Sequence, residues 1–301
     1  MLQSSKAMFK LEDVSKCFRG GIQALHSTCL ELHQGQFTVL LGPSGAGKST
    51  LLRCLNFLSS PTSGRIEVNG LGTLNGNRRL LRAHRHRTAM IFQQHQLIGR
   101  HTALQNVIIG RIGNYSIWRS MRPLPDSDHI LALECLERVG LLDKATERVD
   151  NLSGGQQQRV GIARGLAQQP TVMLADEPVA SLDPATSEKV LSLMHRICSE
   201  DNLTAVVSLH QVGLAKMFAD RIIGLAGGRI VFDGLPHQMT DNVFGRIYQN
   251  RKQTSEKMAA RPARKTRSVT KSNNGGKNEK SIFDTDVSHA FVNVNHSSAS
   301  R

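Results

Sequence analysis

Residues 42–49, with sequence GPSGAGKS, constrain the fold more than any other segment of this 301-residue chain. They fit the pattern G-x-x-x-x-G-K-[ST], follow the short apolar run 36–41, and lead into a helical pattern that starts at Lys48. Glycines in such a loop let backbone N–H groups close around phosphate oxygens without side-chain clashes. A buried strand, a phosphate-binding loop and a helix in this order predict an α/β fold with a parallel-sheet core.

The side chains of this loop suit the charge of a nucleotide. Lys48 can place a positive charge beside the β- and γ-phosphates of ATP, and the Ser49 hydroxyl is a suitable ligand for Mg²⁺. We therefore predict that the loop binds ATP through Gly42, Pro43, Ser44, Gly45, Ala46, Gly47, Lys48, Ser49 and Thr50.

Hydrophobic periodicity sets the loop within a longer order of strands and helices. Strands are predicted at 8–14, 23–32, 36–41, 64–68, 88–92, 172–175 and 204–208, with an antiparallel hairpin at 222–232. Helices are predicted at 48–58, 78–87, 156–168 and 184–199, and the pattern from 93 to 168 is mainly helical. This order indicates a parallel-sheet core with a helical subdomain inserted into it.

A second apolar strand, at 172–175, leads directly into two carboxylates, Asp176 and Glu177. An acid at the carboxyl end of a strand in an open α/β sheet is well placed to hold Mg²⁺, so we predict Asp176 as a metal ligand. Glu177, one residue further on, can polarise an attacking water as a general base. An isolated Asp-Glu pair is more often a solvated strand end, but the phosphate-binding loop upstream favours the catalytic interpretation.

Residues 152–156, with sequence LSGGQ, offer another anion site about a hundred residues after the phosphate-binding loop. A serine and two glycines precede the helix predicted from Gln156. Free N–H groups and the Ser153 hydroxyl therefore point outward at a helix N-terminus. An ordinary N-cap with a flexible glycine pair would give the same pattern.

With the phosphate-binding loop, LSGGQ at 152–156 and the Asp176-Glu177 pair in this order along the chain, it resembles the ATP-binding subunit of an ABC transporter over about residues 8–235. The resemblance implies an ABC cassette: a P-loop NTPase with a parallel-sheet core, an antiparallel β subdomain, and a helical subdomain at about 94–168. It also implies ATP and Mg²⁺ as cofactors, with Lys48, Glu177 and His210 as the catalytic residues.

The resemblance assigns roles to further positions. Gln93, at a predicted strand end, matches a glutamine that joins Mg²⁺ and water to the transmembrane interface, so Ser49, Gln93 and Asp176 are the implied metal ligands. His210 matches a histidine that contacts the γ-phosphate, and Asp183 belongs to a loop that crosses the dimer interface. A lone glutamine or histidine at such positions is otherwise usually structural.

Two implications concern the ATP site as a whole. Phe18 lies where the family stacks an aromatic ring on adenine; the position usually carries Tyr, so a core role for Phe18 stays open. The nucleotide of the opposite subunit would be contacted by Ser153, Gly154, Gly155 and Gln156. Two chains would then form a head-to-tail homodimer over two nucleotides.

Smaller features narrow the resemblance to the ATP-binding subunits of phosphonate importers. They are the Gln after His210 and the segments 91–94, 106–111, 118–120, 174–178 and 180–184. Importers of another small solute, such as polar amino acids, are the alternative, and drift among importers would give similar differences. A non-transport ABC ATPase accessory, or one that acts on nucleic acid, is a further alternative.

An importer subunit implies partners and a place in the cell. A transmembrane permease pair would dock near residues 93–104, and a periplasmic or extracellular solute-binding protein would act indirectly. The chain itself lacks a signal-peptide pattern and any run of about 18 apolar residues. We therefore expect a peripheral protein on the cytoplasmic face of the cell (inner) membrane.

Charge divides the chain into a domain at 1–250 and a tail at 251–301. The tail contains 11 basic and 4 acidic residues, so it carries a net +7 of the total +14. Few apolar residues accompany this charge, which predicts a disordered, solvated extension. Such a tail could bind nucleic acid or anionic lipid, but no aromatic residues alternate with its charges, so nucleic acid is not the expected partner. Five scattered cysteines, with no C-x-x-C pair, predict reduced thiols.

Overall fold

The computed structural model describes residues 6–74, 76–93, 96–115 and 123–248. The strands are β1 Ala7–Phe18, β2 Ile22–His33, β3 Phe37–Leu41, β4 Ser63–Val68, β5 Gly72–Leu74, β6 Thr88–Ile91, β7 Val172–Asp176, β8 Thr204–Leu209, β9 Arg221–Ala226 and β10 Arg229–Gly234. The α-helices are α1 Lys48–Leu55, α2 Arg78–His86, α3 Ala103–Ile112, α4 Asp126–Arg138, α5 Gly154–Leu166, α6 Pro184–Glu200, α7 Val212–Phe218 and α8 Asp241–Tyr248.

A six-stranded sheet with the order β10-β9-β3-β8-β7-β6 forms the centre of the fold. Strands β3, β6, β7, β8 and β9 pair in parallel, and only the β9–β10 hairpin is antiparallel within this sheet. The central strands are buried on both faces, as parallel strands covered by helices must be. Because parallel strands end at the same edge, the loops after β3, β7 and β8 meet there.

Side-chain alternation along β3 divides the core into two clusters. Val39 and Leu41 pack with the α5 and α6 side of the sheet, whereas Leu40 packs on the opposite side with Leu51 and Leu55 of α1. A second sheet, with the antiparallel order β2-β1-β4-β5, covers α1 from outside. The two sheets therefore enclose the helix that follows the phosphate-binding loop.

Helices α3, α4 and α5 lie between β6 and β7 in the chain and pack against one another. A buried ion pair joins the first two, because Arg111 Nε donates to Asp128 Oδ1 at 2.9 Å. The predicted cassette, with its parallel-sheet core, antiparallel β subdomain and inserted helices, is thus confirmed. The exact limits of the helical subdomain, 94–168, stay a prediction because residues 94, 95 and 116–122 lie outside the described residues.

Several element boundaries differ from the sequence expectations. The helix predicted to reach Leu58 ends at Leu55, because Phe57 has φ +52°, a left-handed conformation that cannot continue an α-helix. The helix predicted at 156–168 begins earlier, at Gly154, because Ser153 is its N-cap, and it ends at Leu166. Strand β5 and helices α7 and α8 were not predicted; each has eight residues or fewer.

Among the described residues, no helix is long and apolar enough to span a bilayer. The chain divides into two compact units, and every described residue belongs to the first of them, Met1–Ala259. The predicted basic tail, 251–301, lies outside the described residues, and so does the segment 118–120.

Candidate active site

The phosphate-binding loop connects the end of β3 to the start of α1. Gly47, the residue before the helix, has φ +103°, and a Cβ there would lie 2.8 Å from the carbonyl oxygen of Ala24. Only glycine satisfies both restrictions without strain. Ser44 and Gly45 are exposed in the loop, while Ser49 and Thr50 are partly exposed. The loop therefore presents backbone to solvent at the carboxyl edge of the sheet.

Lys48 is buried beneath this loop. Its side chain is 3% exposed, and Nζ donates to the carbonyl oxygens of Gly42 at 2.7 Å and Pro43 at 3.1 Å. Burial lowers the pKa of Lys48, while the Glu177 and Asp176 carboxylates act in the opposite direction. Glu177 Oε1 lies 3.9 Å from Nζ. These contacts hold the Lys48 ammonium beneath the loop.

Asp176, the last residue of β7, joins two hydroxyls. Ser49 Oγ donates to Asp176 Oδ1 at 2.7 Å, and Ser208 Oγ donates to the same oxygen at 3.0 Å. Asp176 and Ser208 are register partners on neighbouring strands, which places them side by side. A hydroxyl and a carboxylate in contact at the loop form an oxygen donor set of the kind that Mg²⁺ uses together with nucleotide phosphates.

Ser208 is a residue of this site that the sequence reasoning missed. It is fully buried, and its Oγ also accepts a hydrogen bond of 2.8 Å from the Glu177 backbone N–H. The available signal was a hydroxyl in the apolar strand TAVVSL, near the strand's carboxyl end. One side chain thereby fixes two neighbouring carboxylate residues.

Glu177 follows β7 with φ +50°, a left-handed conformation uncommon for a residue with a side chain. Its Oε1 lies 2.5 Å from His210 Nε2, one residue after β8. The other ring nitrogen, Nδ1, lies 3.2 Å from the Gly42 carbonyl oxygen and 3.3 Å from Lys48 Nζ. Strained backbone at a cluster of charged groups is typical of functional sites. The structure therefore brings together Lys48, Ser49, Asp176, Glu177 and His210.

The LSGGQ segment forms a separate group. Ser153 Oγ accepts from the Gln156 N–H at 3.3 Å, and Gln156 Oε1 accepts from the Ser153 N–H at 2.9 Å, so the two residues form a capping box. Ser153 and Gly154 are exposed. Gly155 faces α6, where its Cβ would lie 2.5 Å from Thr186 Cγ2.

Asp183 is also a helix cap. Its Oδ1 accepts from the Thr186 N–H at 3.0 Å at the start of α6, and this side chain is exposed. Among the described residues, no hydrogen bond connects the LSGGQ segment or Asp183 with the cluster around Lys48. The Lys48 cluster and the LSGGQ segment are therefore two separate groups of the chain.

Two predicted residues lie at the margins of the site. Phe18, at the end of β1, is 43% exposed, and Lys16 Nζ lies 5.3 Å from its ring centroid. A purely core role is therefore wrong for Phe18. Gln93 is exposed two residues beyond β6, and within the described part of the chain it makes no hydrogen bond to the cluster. The residues that follow it, 94 and 95, lie outside the described residues.

The fold and these contacts define a class: a P-loop ATPase with a second, exposed LSGGQ helix start. Comparison with known families agrees, since the ABC transporter family model matches residues 25–180. The chain belongs to the ABC transporter family.

Similar proteins include a phosphonates import ATP-binding protein of Nostoc sp., 60% identical over 243 residues that cover 81% of this chain and 92% of that protein. A phosphite import ATP-binding protein of Stutzerimonas stutzeri is 57% identical over 248 residues, which are 82% of this chain and 90% of that protein. Among solved structures, a dimeric ATP-binding cassette bound to ADP and phosphate matches with a TM-score of 0.67 and 36% identity, covering 76% of this chain and 99% of that one.

Proposed function

We propose that this chain is the ATP-hydrolysing subunit of an ABC importer for phosphonates or for related solutes such as phosphite and phosphate esters. The observation that carries the ATPase activity is the contact of Lys48, Glu177 and His210 at the phosphate-binding loop. The solute class is supported by the similar proteins, which are named for phosphonate and phosphite import. An importer for polar amino acids is the second candidate, since closely related motifs would serve it.

ATP hydrolysis is phosphoryl transfer to water, so rate comes from positioning and charge stabilisation. Lys48 would stabilise negative charge on the β- and γ-phosphates. Glu177 would accept a proton from the attacking water, and His210 would orient Glu177 and contact the γ-phosphate. Mg²⁺, when bound, supplies charge neutralisation at the phosphates, and Ser49 and Asp176 would hold it. Gln93 stays the proposed third ligand.

A homodimer would complete the site. Within the described residues, the exposed Ser153 and Gly154 and the half-buried Gln156 make no hydrogen bond to the Lys48 cluster of their own chain, so they could face the ATP of a second copy. A helix N-terminus is suited to a phosphate group. The dimeric state of the similar cassette supports this arrangement. Asp183, exposed beside the same helix start, would lie at the interface.

The remaining partners follow from the proposed import role. A transmembrane permease would dock near residues 93–104, and a solute-binding protein would deliver the solute to that permease from outside. The chain would then lie at the cytoplasmic face of the cell membrane. No solute atom would touch this polypeptide, so the binding protein and permease would select the solute.

The test is ATPase activity of the chain reconstituted with its permease and binding protein. We expect stimulation when the binding protein is loaded with alkylphosphonate or phosphite. Glu177→Gln should lower the stimulated activity about 100-fold or more because the general base is lost. Glu134→Gln, an exposed glutamate of α4, is the matched control and should keep full activity. Stimulation by a polar amino acid alone would refute the proposed solute class.

A further inference from the structure

We infer that Tyr248 is a positioning residue for His210: its hydroxyl donates to the His210 main-chain carbonyl and thereby fixes the imidazole against Glu177. The hydroxyl oxygen lies 3.1 Å from that carbonyl oxygen. This inference rests on the proposed role of His210 in hydrolysis. It assigns a part of the active-site geometry to α8, the last helix of the described residues, whose Tyr248 lies 38 residues along the chain from His210.

The backbone at His210 needs an external support. His210 lies between the end of β8 and the start of α7, so its peptide belongs to neither the sheet ladder nor a helix. The N-cap of α7, Gln211, makes no side-chain capping bond. Within the described residues, Tyr248 is the hydrogen-bond partner of the His210 carbonyl. The ring is therefore carried by a connecting segment that α8 holds from outside.

Helix α8 can provide that support because it packs closely on β9. Ile247 is 1% exposed, and it approaches Gly224 so closely that a Cβ on that glycine would lie 2.5 Å from Ile247 Cδ1. Gly224 is the register partner of Leu41, the last residue of β3 before the phosphate-binding loop. Tyr248 is thus tied through β9 to the strand that positions Lys48.

The Tyr248 side chain is itself well defined. Its ring packs on Phe244 with centroids 4.6 Å apart. Burial raises the pKa of Tyr248 to about 12, so the hydroxyl keeps its proton and remains a donor at any physiological pH. A neutral, half-buried hydroxyl 3.1 Å from a carbonyl oxygen makes a directed hydrogen bond.

Loss of the Tyr248–His210 hydrogen bond should lower the rate of hydrolysis and leave the binding of ATP unchanged. Both imidazole nitrogens of His210 are engaged, with Glu177 on one side and with Gly42 and Lys48 on the other. A shift of the His210 backbone by a fraction of an ångström would disturb the contact with Glu177. The phosphate-binding loop has its own hydrogen bonds and would stay in place.

The experiment is steady-state ATPase kinetics of the full chain with Tyr248→Phe, which removes only the hydroxyl. One neutral hydrogen bond contributes about 1 kcal/mol, so we expect kcat to fall about fivefold while KM for ATP changes less than about twofold. The control is Tyr115→Phe, which removes the other tyrosine hydroxyl of the chain, bonded to Asp128 Oδ2 at 2.6 Å. This control should leave both constants unchanged.

A double-mutant cycle separates positioning from general destabilisation. In a His210→Ala background, Tyr248→Phe should cause no further loss of kcat, because the ring that it positions is gone. An equal loss in both backgrounds, or an equal rise in KM, would overturn the inference. If His210→Ala alone left hydrolysis intact, the proposed role of His210 would fail instead. Thermal unfolding of each variant shows whether the fold is retained.

Discussion

Among single residues, Phe18 offers a direct test of how the adenine ring is held. One face of its ring lies near Lys16 Nζ, and 43% of the residue is open to solvent. Stacking of a base on an aromatic side chain contributes about 1–3 kcal/mol. We expect Phe18→Ala to raise the Kd for ATP about tenfold, as measured by calorimetric titration.

Ile22 is the matched control for Phe18. The two residues are register partners across the β1–β2 hairpin, and Ile22 is 65% exposed, so truncation removes a similar exposed apolar group. Ile22→Ala should leave the Kd for ATP unchanged, and Phe18→Tyr should keep it within about twofold because the aromatic face remains. Equal losses in Phe18→Ala and Ile22→Ala would exclude stacking on Phe18.

The site residues that the sequence predicted and those it missed differ in a physical way. Asp176 and Glu177 follow an apolar strand within one short segment, so local sequence indicates their place. Ser208 and Tyr248 act through partners 32 and 38 residues away, Asp176 and His210. Strand register and helix packing create these contacts, and neither leaves a local pattern.

At the scale of elements, the N-terminus of α5 combines a capping role with a proposed role at the dimer interface, and one substitution can separate them. Asp and Ser are about equally good N-caps, and negative charge is favoured at a helix N-terminus. Ser153→Asp should therefore keep or slightly raise the unfolding temperature. A carboxylate facing the γ-phosphate of the partner's ATP costs several kcal/mol, so ATPase activity should fall about 100-fold.

The same substitution at another capping box controls for changes in helix stability. Thr102 caps α3 through a reciprocal pair with Gln105, as Ser153 does with Gln156. Because Thr102 lies within the proposed permease-docking segment, both variants are assayed without the permease, and Thr102→Asp should then preserve the unfolding temperature and the ATPase activity of the chain. Retained activity in Ser153→Asp would argue that this helix start does not approach a phosphate.

Long, strongly patterned elements were predictable from sequence, while short ones and element ends were not. The buried strands of the parallel sheet and the phosphate-binding loop agree with their predicted positions. The apolar run after α1 continues to Leu58, but the left-handed backbone at Phe57 ends the helix earlier. Three-residue β5 depends on pairing with β4, a tertiary contact that periodicity does not reveal.

For the whole molecule, the separation between the Lys48 cluster and the LSGGQ segment favours a dimer in which each ATP is bound by both chains. If each ATP lies between Lys48 of one chain and Ser153 of its partner, every site uses both copies. We call this a composite site. A dimer of one Lys48→Met chain and one Ser153→Asp chain would then contain one site with both substitutions and one site with neither.

Mixing these two variants should therefore restore activity that neither has alone. In an equal mixture half of the dimers are mixed by chance, and each has one intact site of two, so ATPase activity should reach about a quarter of the wild-type value. The control mixture combines Lys48→Met with Glu177→Gln, two residues in contact range within one chain. Each site of that mixed dimer carries one defect, so no activity should return.

The two mixtures share the Lys48→Met chain and differ only in the chain that carries the second substitution, so together they distinguish the possible arrangements. If Ser153 served the ATP of its own chain, both mixtures would stay inactive, since every site would contain one defect. Recovery in both mixtures would contradict the proposal, because Lys48 and Glu177 of one chain would then serve different sites. Recovery with Ser153→Asp alone requires that Ser153 and Lys48 meet across the dimer, and dimerisation would then be a requirement of the chemistry.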